Sequence, residues 1–142
     1  TSGFIDLGGN VLTFGDSPKA ASGLWKIGIQ NPALPRGNNA LVLNLKNLSV
    51  VTSGIYERKI KADGQIFHHI FDSKTGYPVK NDLASLTIIS EKSLDGEIWT
   101  TKLFGKKAAE VIRELNDTPN IEAIVITKDN QMACTSHALP DI

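Results

Sequence analysis

Ser93-Leu94-Asp95-Gly96-Glu97-Ile98-Trp99-Thr100-Thr101-Lys102-Leu103-Phe104-Gly105-Lys106-Lys107-Ala108-Ala109-Glu110-Val111-Ile112-Arg113-Glu114-Leu115 is the one segment of this chain that repeats with a helical period. Its positions Ile98, Thr101, Phe104, Ala108, Val111, Ile112 and Leu115 fall three and four apart, the spacing of one helix face. Ser93 is placed to cap the start, Asp95 and Glu97 bring negative charge to the first turn, and Asn116 and Pro119 end the run. Outward from this helix the pattern is short and β-like. Residues 83–90 precede it as an apolar run, and 122–127 and 131–135 follow it around the turn Lys128-Asp129-Asn130. Further upstream, 4–7 and 11–14 flank Gly8-Gly9-Asn10, 24–30 stops at Asn31-Pro32, and 65–71 forms a middle strand. Residues 41–45 and 48–52, separated by Lys46-Asn47, read as another hairpin. The expected class is α+β, a mostly antiparallel sheet backed by one main helix.

The chain has 142 residues, 41% of them hydrophobic, enough for one core. Lys+Arg and Asp+Glu are 15 each, so no field of one sign is available to hold nucleic acid or an anionic membrane, and no nucleic-acid partner is expected. Arg58, Lys59 and Lys61 read as a solvated strand end. The single cysteine, Cys134, excludes an internal disulfide and fits a small core residue. No run in these residues reads as a transmembrane helix or as a signal peptide. The chain opens at Thr1-Ser2-Gly3 and enters a strand pattern at once, as expected of a cut through a longer protein.

Four places carry chemistry. In His68-His69-Ile70-Phe71-Asp72-Ser73-Lys74-Thr75-Gly76-Tyr77-Pro78 a strand ends in a polar turn holding imidazole, carboxylate and hydroxyl groups. Strand alternation sends His68 and His69 to opposite faces, and parity places Asp72 with His68 if the strand continues that far. The same residues also fit a turn capped by Asp72 beside two surface histidines. Glu97 and Thr101, four apart on one helix face, are oxygen donors suited to a hard cation such as Mg²⁺; they equally fit a helix-start carboxylate with a Thr packed behind it. Asp6-Leu7-Gly8-Gly9-Asn10 allows close backbone approach to a phosphate or to another strand, but it is not a dinucleotide fingerprint. Val51-Thr52-Ser53-Gly54 reads as a strand end with exposed hydroxyls and lacks a nucleophile elbow.

Taken in order, these pieces resemble the C-terminal motifs of the ApbE family. The carriers are Leu7-Gly8-Gly9-Asn10, Trp25-Lys26-Ile27-Gly28-Ile29 with Asn31-Pro32, and Ser49-Val50-Val51-Thr52-Ser53-Gly54 with Tyr56-Glu57-Arg58. They continue with His69-Ile70-Phe71-Asp72, Thr75-Gly76-Tyr77-Pro78, and Glu97 with Thr101. The resemblance implies a T-fold-like half, residues 1–142 forming the C-terminal portion of the family's domain. It implies Mg²⁺-dependent transfer of FMN from FAD to a Ser or Thr hydroxyl of an acceptor protein, with release of AMP. It also implies His69 as the base, Phe71, Asp72 and Thr75 at the flavin, and Glu97 and Thr101 on the metal, with a further ligand upstream. Three residues depart from the family pattern: Glu97 stands where Asp is usual, Ile55 where Asp is common, and Ser73 where Pro is common. An exported, lipid-anchored parent is expected by the same resemblance. The 142 residues alone are expected to be inactive and to self-associate through the face left by an absent half. The competing readings are a module that binds FAD without transferring it and a structural half-domain without a ligand.

Overall fold

The computed structural model describes residues 1–56, 59–62, 65–68 and 71–137, with 59–62 and 65–68 described by backbone alone. Among the described residues, twelve elements run in the order β1 (Gly3–Asp6), β2 (Asn10–Phe14), β3 (Trp25–Gln30), β4 (Asn39–Leu45), β5 (Ser49–Gly54), β6 (Lys59–Ala62), β7 (Gln65–His68), β8 (Leu83–Ser90), α1 (Ser93–Leu103), α2 (Ala108–Asn116), β9 (Ile121–Thr127) and β10 (Met132–Cys134). Six strands form one antiparallel sheet in the order β1-β2-β5-β8-β9-β10. β3 and β4 form a separate two-stranded ribbon, as do β6 and β7. No helix among the described residues is long and apolar enough to cross a membrane.

Strand alternation divides the core into two layers. Leu86 and Ile88 of β8 and Ala123 and Val125 of β9 meet Leu103, Phe104, Val111 and Leu115 of the helices. Ile89 and Ile124, one residue along, point the other way and meet Ile29 and Leu43 of the ribbon, with Val50 of β5. β8 is therefore covered on both faces, and all eight of its residues are buried. Its three hydroxyl residues, Ser85, Thr87 and Ser90, are buried with the rest.

The α+β reading holds, with two corrections. The single helix over 93–115 is two helices. α1 ends as the Asn81 side-chain amide donates to the carbonyls of Phe104 and Lys106. α2 begins where the neighbouring Asp82 carboxylate accepts the Ala108 N–H at 2.9 Å. A helix interior would leave no free backbone groups for this pair to bind. Lys102 pairs with Glu114 at 3.1 Å and lies 4.2 Å over the Trp99 ring, joining the two helices across the break.

The second correction concerns 41–45 and 48–52. They are successive strands but not a hairpin: β4 pairs with β3, while β5 pairs with β2 and β8. Asn47, at φ 57°, turns the corner between layers, and its side-chain oxygen accepts the Gly15 N–H at 2.8 Å.

Candidate functional site

The β1–β2 turn is built by Asp6, whose Oδ1 accepts the N–H of Gly8 at 3.0 Å and of Gly9 at 3.4 Å. Both glycines have positive φ, 70° and 99°, a conformation that side chains resist. The Gly9 carbonyl then accepts the Thr52 N–H at 2.8 Å, which fixes the turn against β5. Asn10 leaves this turn beside the start of α1. Its Nδ2 donates to Glu97 Oε1 at 2.8 Å, and its Oδ1 accepts from Ser93 Oγ at 2.6 Å. The Asp6–Asn10 turn and the Glu97 helix face, separate in sequence, are thus one place.

Ser93 does not cap α1. Lys92 occupies that position, and the Ser93 hydroxyl is turned to Asn10 instead. Asp95 lies in the first turn and Glu97 just beyond it. Gly96 makes this approach of helix to sheet possible, since a Cβ there would lie 2.4 Å from Val51 Cγ2. The inward face of α1 is Gly96, Thr100 and Leu103. Thr101 is therefore exposed, and Ile98, expected inside, is 51% exposed. Glu97 and Thr101 share the solvent face with the four-residue spacing that brings side chains together. Of these two, only Glu97 has a hydrogen-bond partner among the described residues.

Two oxygen donors, one anionic, match the preference of a hard cation. They do not complete a site: no group of three His, Cys, Asp or Glu among the described residues could hold a metal ion. The donor chemistry fits Mg²⁺, with further ligands required from outside this pair.

The Phe71–Pro78 turn is closed on itself. Asp72 N–H donates to the Tyr77 carbonyl at 2.9 Å and Gly76 N–H to the Asp72 carbonyl at 2.8 Å. Asp72 Oδ1 accepts the Lys74 N–H at 2.7 Å, and Thr75 Oγ1 accepts the Tyr77 N–H at 3.3 Å. Asp72 and Thr75 thus shape the loop. Phe71 and Tyr77 stand out of it, 54% and 72% exposed. β7 is described as far as His68, and residues 69–70, between it and the turn, lie outside the described residues, His69 among them. The Thr52 hydroxyl, read as exposed, is paired with Thr87 Oγ1 at 2.9 Å across β5 and β8.

Asn10 is the residue that sequence reasoning names without giving it a role. It lies 87 positions from Glu97, beyond any local pattern. Its only signal is an amide placed directly after two turn glycines.

The comparisons place the chain among known proteins. A FAD:protein FMN transferase of Klebsiella pneumoniae (strain 342) is 42% identical over 132 residues, covering 93% of this chain and 39% of that protein. One of Treponema pallidum (strain Nichols) is 35% identical over 144 residues, covering 95% of this chain and 39% of that protein. The chain thus spans about 40% of the length of these curated relatives. The crystal structure of the ApbE protein of Thermotoga maritima superposes with a TM-score of 0.81 at 29% identity, over 95% of this chain and 43% of that one. The apo flavinyl transferase ApbE of Pseudomonas stutzeri gives 0.70 at 24% identity, over 95% of this chain and 41% of that one, a likeness of fold. The model of the ApbE family matches residues 1–125, and the chain belongs to that family.

Proposed function

We propose that the protein carrying this chain transfers FMN from FAD to a Ser or Thr hydroxyl of an acceptor protein, with Mg²⁺ as the required cation. The observation that supports this most is the shared solvent face of Glu97 and Thr101 beside the Gly8-Gly9 turn. The names of the relatives point to the same reaction. The acceptor oxygen bonds to the FMN phosphorus, the phosphoanhydride bond breaks, and AMP departs with the bridging oxygen. His69 takes the hydroxyl proton, a task suited to an imidazole near neutral pH. Glu97 and Thr101 would hold the cation by carboxylate and hydroxyl oxygens, and bound Mg²⁺ would supply positive charge against that developing on the pyrophosphate. The exposed Phe71–Pro78 turn offers the Phe71 backbone to the flavin, with Asp72 and Thr75 shaping the loop. In this reading the 142 residues supply only part of the cation's ligand set and do not catalyse transfer alone.

The test is FAD cleavage and FMN transfer at limiting Mg²⁺ in the transferase that carries this chain. Glu97→Ala and Thr101→Ala should each lose activity strongly with the fold intact. Normal activity in both would overturn the ligand assignment.

A further inference from the structure

We infer that Asn10 is a positioning residue for Glu97, restricting that carboxylate to one-oxygen ligation and so favouring Mg²⁺ over a larger cation. The inference rests on the reading of Glu97 as a metal ligand. Asn10 is held at both ends of its amide: Ser93 Oγ donates to Oδ1 at 2.6 Å, and Nδ2 donates to Glu97 Oε1 at 2.8 Å. The relay sets the orientation of the amide, because a carboxylate only accepts and so requires the N–H side of Asn10. Oε1 is engaged, while Oε2 has no hydrogen-bond partner among the described residues.

Two consequences follow from that asymmetry. Glu has one more rotatable bond than the Asp usual at this position, and a freely turning Glu would lose that freedom on binding. Asn10 removes the freedom at folding, so the longer side chain arrives ordered. Ca²⁺ accepts carboxylates through both oxygens, whereas Mg²⁺ demands near-octahedral geometry. A carboxylate with Oε1 tied to an amide is biased toward ligation through Oε2 alone. Asn10 also spans two elements that local sequence does not connect, β2 and α1, so the position of the ligand is set by the sheet.

The experiment is calorimetric titration of Mg²⁺ and, separately, Ca²⁺ into the transferase that carries this chain, with no activity readout. Asn10→Ala should weaken Mg²⁺ binding about tenfold, the usual scale for loss of a residue behind a metal ligand. Ca²⁺ binding should weaken much less, so the ratio of the two affinities shifts. In a Glu97→Asp background the carboxylate retreats by about 1.5 Å, one C–C bond, out of reach of the amide. There Asn10→Ala should change Mg²⁺ binding by roughly twofold or less. Ser93→Ala, which frees only the Oδ1 end of Asn10, is the second variant should Asn10→Ala not fold. It should give a smaller loss of the same sign. Equal losses for both cations, or the same loss in the Glu97→Asp background, would overturn the positioning role. So would unchanged Mg²⁺ binding in Asn10→Ala when Glu97→Ala loses it. Mg²⁺ binding unchanged in Glu97→Ala would instead overturn the ligand reading beneath.

Discussion

Asp82, on the loop before β8, accepts the backbone N–H of Ala108 through Oδ1 at 2.9 Å, so the start of α2 is capped from 26 residues away. The Asp82 carbonyl also accepts the Lys128 N–H at 2.8 Å, which ties the cap to the β9–β10 turn. An N-terminal cap of this kind is worth about 1 kcal/mol. Asp82→Ala should lower unfolding stability by about that amount in urea titration, and Asp82→Asn should retain most of it. No loss in Asp82→Ala would mean that the helix break needs no cap.

Gly96 governs how closely α1 lies on β5. In an open helix interior Gly→Ala gains about 1 kcal/mol, but here the new methyl would meet Val51 Cγ2 at 2.4 Å. Overpacking of this severity costs about 1–3 kcal/mol, so the net effect should be destabilising. Gly105→Ala is the control, since its Cβ would lie 3.4 Å from Val79 Cγ1 and little must move. A stabilised Gly96→Ala would show that α1 can lift from the sheet at no cost.

Lys106, by a side-chain hydrogen bond, and then Lys102 hold the Glu114 carboxyl below its ordinary value of 4.5. A depressed carboxylate contributes stability above its unfolded value, and that contribution is lost as pH falls through the folded one. The pairs are partly exposed, so the contribution is about 1 kcal/mol at most. Glu114→Gln should therefore melt slightly lower than the parent at pH 7, and the two curves should converge below the carboxylate range. A difference that persists at acid pH would point to packing in place of charge.

Variants of His69 and His68 test the proposed base. Loss of a general base is worth on the order of 10² to 10⁴ in rate, so His69→Ala should lose about that much FMN transfer. FAD binding should change far less, and His68→Ala should stay near the parent in both. The readout is flavin fluorescence retained on the acceptor after denaturing electrophoresis, beside an FAD titration. Equal losses in the two variants would remove His69 from the role of base.

What is local is legible in the amino-acid sequence alone. The β1–β2 and β9–β10 hairpins carry their turn residues at their tips, and 83–90 reads as a strand in the middle of the sheet, where β8 lies. The spacing of Glu97 and Thr101 puts two oxygen donors on one helix face without any knowledge of the sheet. The rest depends on partners distant in the chain. Asn81 and Asp82 split one helical period into two helices, because side chains from another loop satisfy the backbone groups at the break. The layer to which β4 belongs follows from its pairing with β3, and Lys46-Asn47 does not specify it. The outward turn of Ile98 follows from Gly96, whose missing side chain lets that edge of α1 meet Val51. Asn10 and Glu97 meet only because β2 and α1 lie against the same strand, β5, a contact that the tertiary structure alone creates.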